Sequence, residues 1–179
     1  MSHDARVRIA VIVNGPPGSG KSTLAGPLAD ALALPLLAKD AVKETLLDQV
    51  GYVDRAESRR IGAASGEVLW TVLGGCPHGA VLESWLAPHT RDVVRAGLAR
   101  AVVDRMVEVW CRCPPGEARR RYAARLHHPG HFDAALLPDL DAVLATAEPL
   151  ALGPVVEVPT DRPVDIDRVV HQVLAHLSG

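Results

Sequence analysis

The chain has 179 residues, a formal net charge of −2 and 48% hydrophobic residues, of which few are aromatic. That size suits one domain whose core closes without disulfide or metal staples, and the near-neutral charge with no long basic run argues against extended nucleic acid as a partner. No apolar stretch reaches the roughly 18 residues of a membrane span, and the short polar start, Met1–Arg8, lacks a signal-peptide pattern, so a single cytoplasmic domain over residues 1–179 is expected.

Val7–Val13 is a β-branched apolar run that ends at Asn14-Gly15-Pro16-Pro17-Gly18, which reads as a buried strand running into a glycine loop. Ser22–Leu34 has helical spacing, with Pro27 inside it predicting a kink. Leu34–Ala38 is a short second strand closed by Lys39-Asp40, where Asp40 is placed to cap a helix from Ala41 to about Val50. Asp54–Leu73 reads as a long amphipathic helix stopped by Gly74-Gly75. Ala80–Leu82 is a third strand ending at Glu83, and a helix follows over about Thr90–Ala101. Met106–Cys111 is a fourth strand. Pro114-Pro115 opens a helix to about Leu126, and His127–Phe132 reads as a mobile polar loop. Leu136–Ala147 is helical, Val155–Val158 is a last strand, and Val164–Leu177 a closing helix. The alternation predicts an α/β sandwich with a mostly parallel sheet. Cys76, Cys111 and Cys113 lack zinc-finger spacing and read as small hydrophobes.

Gly15-Pro16-Pro17-Gly18-Ser19-Gly20-Lys21-Ser22-Thr23 matches G-x-x-x-x-G-K-[ST] in full, between a strand and a helix. The glycines let successive N–H groups converge on one anion, and the helix adds its positive end. Lys21 would reach the β- and γ-phosphates of ATP, and Ser22 would offer a hydroxyl to Mg2+. All three lysines, Lys21, Lys39 and Lys43, fall within 23 residues, whereas the other basic positions are arginines. Strand carboxyl ends line the ligand crevice of such a sheet, so Asp40 would face the γ-phosphate as general base, with Lys43 steadying phosphate or substrate. Glu83 reads as a Walker-B-like acid that holds a magnesium-bound water or orients the acceptor, with Ser84 and Trp85 on the acceptor rim. Arg121 and Arg125, spaced i, i+4, would project together over the transferring group, while Arg119 and Arg120 carry less of this expectation. His127, His128 and His131 stand beside them.

Gly15–Thr23, Leu37–Glu44, Val81–Trp85, Val107–Pro115 and Arg121–His131 together resemble the small P-loop kinases. These include chloramphenicol phosphotransferase, zeta toxin, gluconate kinase, the kinase domain of polynucleotide kinase and bacterial AAA family ATPase-like proteins. The resemblance implies a P-loop three-layer sandwich with strand order 2-3-1-4-5, helices on both faces and a small lid. It also implies ATP over the loop, an acceptor hydroxyl near Asp40, lid arginines at Arg121 and Arg125, and adenine near Thr160–Pro163. Glu83 departs from the aspartate frequent in relatives, and Gly26-Pro27 interrupts a helix that is usually smooth. The acceptor region, Tyr52–Trp70 and Trp85–Arg91, matches no substrate signature. The expected activity is transfer of the γ-phosphate of ATP to a hydroxyl of a small molecule such as an antibiotic, sugar or nucleoside. A nucleotide or nucleic-acid-end kinase, and a nucleotide-binding regulator or slow ATPase, stay open as alternatives.

Overall fold

Five apolar segments form one sheet: β1 (Ile9–Asn14), β2 (Leu36–Ala38), β3 (Gly79–Glu83), β4 (Arg105–Arg112) and β5 (Val155–Pro159). Their order is β2-β3-β1-β4-β5, and every pairing is parallel. The expected order is therefore met, and the sheet is wholly parallel. The computed structural model describes residues 7–126, 128–131 and 139–178. Expectations for 1–6, His127, Phe132 and the helix start at Leu136 lie outside them.

A central strand covered on both faces reads as a near-continuous apolar run, and Ala10, Val11, Ile12 and Val13 are all fully buried. Its alternate residues feed two cores. Val11 and Val13, with Val107, Val109 and Val156, meet Leu24, Ala25 and Leu28 of α1 (Lys21–Leu32) and Val169 and Val173 of α7 (Ile166–Leu177). Ala10 and Ile12 meet Leu69, Trp70 and Leu73 of α3 (Arg55–Gly75) and Val94 of α4 (Arg91–Arg100). A smaller cluster, Ala118, Tyr122, Leu140 and Leu144, joins α5 (Pro115–Ala124) to α6 (Leu140–Thr146). Among the described residues, no helix is long and apolar enough to cross a membrane.

Several boundaries differ from the sequence expectation. Helix α1 continues through Pro27 as one element. Asp40 does not cap the next helix. α2 (Lys39–Val50) starts directly at the end of β2, its N-cap is Ala38, and Asp40 lies in the first turn. Helix α3 runs over Gly74 and Gly75 and closes at Cys76, whose N–H bonds Leu73. Its start is as expected: the Asp54 carboxylate accepts the Glu57 N–H at 2.9 Å while Glu57 accepts that of Val53, a reciprocal cap.

Replacing Ile12 by alanine, at the middle of the most enclosed strand, should cost about 2–5 kcal/mol of folding stability. Urea unfolding should show a lower midpoint with an unchanged slope.

Candidate active site

The cleft lies beyond the carboxyl ends of β1, β2 and β3, the place where an open parallel sheet holds its ligands. It measures about 930 Å³, and Pro17, Gly18, Gly20, Lys21, Ser22 and Thr23 form its floor. Gly18 and Gly20 have φ of 74° and 85°, and Gly20 is the left-handed N-cap of α1. At Gly18 the requirement is double, because a Cβ there would also lie 2.0 Å from the Ala118 carbonyl oxygen of α5. Gly15, Pro16 and Ser19 are the buried underside of the loop. Pro16 accepts hydrogen bonds from Ser19 N–H at 3.2 Å and from Lys21 Nζ at 3.1 Å. The N–H groups of Gly18, Gly20, Lys21 and Ser22 meet no protein acceptor among the described residues. Open amides at the positive end of a helix, beside one ammonium group, form an anion site.

The acids stand on the neighbouring strands. Glu83 pairs in register with Val13 of β1 and Ala38 of β2, so it sits between the loop and the start of α2. Its Oε1 accepts a hydrogen bond from Ser22 Oγ at 3.3 Å. Burial pushes the Glu83 pKa up; Lys21 opposes that shift and Asp40 adds to it. Burial pushes the Lys21 pKa down, against the attraction of Glu83 and Asp40. Each partner is thus driven toward its neutral form by desolvation and held charged by the other. A polyphosphate arriving here would add negative charge next to Lys21 and so favour its charged form.

Asp40 lines the cleft with Lys39, Lys43 and Glu44. Because Ala38 occupies the cap position, the Asp40 carboxylate is not spent on the helix end. The Lys43 side chain crosses over Gly62 of α3, where a Cβ would lie 3.4 Å from Lys43 Cε. Trp85 lines the cleft and packs at 6.2 Å, ring centre to ring centre, from Trp110.

Ser84 is a correction. It is buried, its N–H bonds Val13 O at 3.3 Å, and it is not part of the cleft wall, because successive strand residues face opposite ways. Likewise, the segment from Tyr52 to Trp70 contributes nothing to the wall, and Trp70 belongs to the core against α4.

Arg121 and Arg125 both line the cleft but do not project as an i, i+4 pair. α5 ends at Ala124, and Arg125 is its extended C-cap. Arg121 is committed: Nε bonds Glu117 at 2.6 Å and Nη1 bonds the Thr160 carbonyl at 2.8 Å. Arg120 and Arg121 together hold the Glu117 carboxyl down at about 2. Arg119 pairs with Asp141 of α6 at 2.7 Å and Arg120 with Glu117, both away from the cleft. Thr160 in turn donates to Ser19 O at 2.6 Å, which fastens the strand β5 exit beneath the phosphate loop. Asp161, Arg162, Pro163 and Val164 continue that wall.

The segment 128–131 is not a loose polar loop. His131 bonds Glu44 and His128 bonds Asp48, each at 2.9 Å, and Ser58 Oγ donates to the Gly130 carbonyl. Glu44 and Asp48 are one turn apart on α2, so two histidines clasp one helix face, and His131 enters the cleft. Sequence reasoning also missed Glu108, a fully buried carboxylate inside β4. An acid amid Met106–Cys111 was the available signal. Cys111 is fully buried, which pushes its thiol up to about 12, whereas Cys76 and Cys113 are half-buried.

The AAA domain family matches residues 11–150. A candidate kinase from Chloroflexus aurantiacus J-10-fl is 30% identical to this chain, with a TM-score of 0.82 over 95% of this chain and 98% of its own. APS kinase from Mycobacterium tuberculosis, solved with AMPPNP and APS, is 25% identical with a TM-score of 0.60, covering 97% and 99%. A gluconokinase from Sinorhizobium meliloti 1021 is 21% identical with a TM-score of 0.59, covering 97% and 93%. No curated protein matches the chain.

Gly18→Ala should lower affinity for MgATP by at least about tenfold, the equivalent of 1.4 kcal/mol, because the loop must shift away from α5 and leave a left-handed conformation. Calorimetric titration of the folded variant against the parent protein checks this.

Proposed function

Since the chain belongs to the AAA-domain family of small P-loop kinases, we propose that residues 1–179 act as one kinase domain moving the γ-phosphate of ATP to a hydroxyl of a small molecule. The observation that carries this reading is the meeting of Lys21, Glu83 and Asp40 in one cleft, each within electrostatic reach of the others. A second carboxylate beside the phosphate loop suits a proton acceptor for an attacking hydroxyl.

In this reading the open amides of Gly18, Gly20, Lys21 and Ser22, with Lys21 Nζ, hold the β- and γ-phosphates. Gly15, Pro16, Pro17, Ser19 and Thr23 shape that cradle. The Asp40 carboxylate accepts the proton of the acceptor hydroxyl as its oxygen bonds to the γ-phosphorus and the bond to the β-phosphate oxygen breaks, which leaves ADP. Lys43, Trp85 and His131 face the acceptor half. Arg125, the extended C-cap of α5, reaches toward the transferring group, and Arg121 steadies the wall formed by Thr160.

Ser22 and Glu83 supply a hydroxyl and a carboxylate 3.3 Å apart, two hard oxygen donors that fit Mg2+. This ion commonly takes one or two carboxylates and completes its shell with waters and phosphate oxygens. When bound it neutralises charge on the phosphate oxygens. The fold likeness to a gluconokinase supports a hydroxylated small acceptor. The 25% identity to APS kinase supports a nucleotide-like acceptor as a second reading.

The test is ATP turnover with and without hydroxy acids, sugars, nucleosides, nucleotides and hydroxylated antibiotics. Stimulation by one of them supports a kinase; acceptor-independent hydrolysis that Asp40→Ala leaves unchanged contradicts it. With an acceptor in hand, Asp40→Asn should keep MgATP affinity and lower transfer by about 10²–10⁴-fold. Transfer at the parent rate would remove Asp40 from the role of base.

The Glu83 pKa is raised by burial, so the group becomes protonated and neutral at a pH above the usual value of about 4.3. Its hold on a divalent cation therefore weakens as pH falls. The magnesium concentration giving half-maximal turnover should rise on acidification, with a midpoint above that ordinary glutamate value. Magnesium titrations at a series of pH values measure it.

A further inference from the structure

After Val13 and Glu83 the strands β1 and β3 part, and the side chain of Asn14 closes the gap. Its Oδ1 accepts the Leu86 N–H at 2.9 Å and its Nδ2 donates to the Leu86 carbonyl at 2.9 Å. One side-chain amide thus imitates a strand partner for the residue that follows Trp85. The same amide has two further bonds: Oδ1 accepts the Gly15 N–H at 2.8 Å, and Nδ2 donates to Glu108 Oε1 at 2.8 Å. Asn14 is fully buried and each of its four amide hydrogen-bonding positions is filled, which is the full capacity of the group.

Glu108 locks this orientation. Its carboxylate also accepts the N–H groups of Leu150 and Ala151, each at 2.9 Å. All of its neighbours are donors, so only the nitrogen end of the Asn14 amide can face it. In register Asn14 pairs with Trp110, against whose ring Trp85 packs. The first amide of the phosphate loop and the backbone beside Trp85 therefore share one rigid group, and both bonds must adjust together.

From this geometry we infer that Asn14 is a positioning residue that carries the state of the phosphate loop to Trp85, on the acceptor side of the cleft. The inference rests on the nucleotide reading of the loop and adds the means by which a filled loop adjusts the acceptor rim. Gly15 N–H is held by Asn14 and so is not offered to phosphate. Movement of the loop on binding reaches Leu86 through one side chain rather than through the ligand.

The test uses the full chain labelled with 5-fluorotryptophan, whose three tryptophans give three fluorine resonances. The Trp85 line is assigned by its loss in Trp85→Phe. MgATP should shift or broaden that line in the parent protein. Asn14→Ala should still bind MgATP by calorimetry while the Trp85 response is lost. Glu108→Gln turns one acceptor oxygen into a donor that faces the Leu150 and Ala151 N–H groups but leaves the Asn14 to Leu86 bonds, so it should lower the melting temperature and keep the response. A purely structural role would move both variants alike. If Asn14→Ala does not fold, Asn14→Ser, which keeps a hydroxyl for Gly15 but does not span to Leu86, gives the same reading. A full Trp85 response in a folded Asn14 variant overturns the inference, and so does loss of MgATP binding in that variant while Glu108→Gln still binds. Failure of the parent protein to bind MgATP overturns instead the nucleotide site on which it rests.

Discussion

The site depends on a loop that presents bare amides to one point in front of a desolvated lysine. That arrangement is costly in two ways. Gly18 and Gly20 must hold left-handed conformations that a side chain would resist by about 1–2 kcal/mol per residue. Lys21 must keep its charge against burial. Much of the surrounding architecture answers these costs. α5 presses its Ala118 carbonyl to where a side chain at Gly18 would be, Thr160 ties the Ser19 carbonyl from beneath, and Glu83 and Asp40 oppose the loss of charge on Lys21. The two cores on either face of β1 hold the strand that feeds the loop.

Much of the fold was legible because it rests on local signals. The β-branched run before Asn14, the glycine spacing and the helical repeat after Lys21 require no knowledge of tertiary contacts. The place of Asp40 and Glu83 beside the cleft was legible for a related reason: each stands at or just past the carboxyl end of a short apolar strand, and a parallel sheet gathers such ends along one edge. The Glu117 to Arg121 pair, which its i, i+4 spacing offered, went unread, and that pair explains why Arg121 does not project beside Arg125.

What was not legible came from pairing between distant segments. Ser84 follows Glu83 in sequence, but the pleat turns it to the other side of the sheet. Asp40 has the chemistry of an N-cap, yet β2 passes into α2 with no intervening loop and leaves it in the first turn. The His128 and His131 clasp needs α2 to lie against a segment 80 or more residues away. Asn14 and Glu108 meet only because β1 and β4 are neighbours in one register. In each instance the residue's chemistry was visible and its partner was not.

On the proposed function, nucleotide affinity resides in the polyphosphate, held by the loop amides and Lys21. Calorimetric titration of the same protein with MgATP and with adenosine tests it most directly. MgATP should bind clearly and adenosine little or not at all. Equal affinities for the two, or no binding of MgATP at saturating concentration, would contradict it.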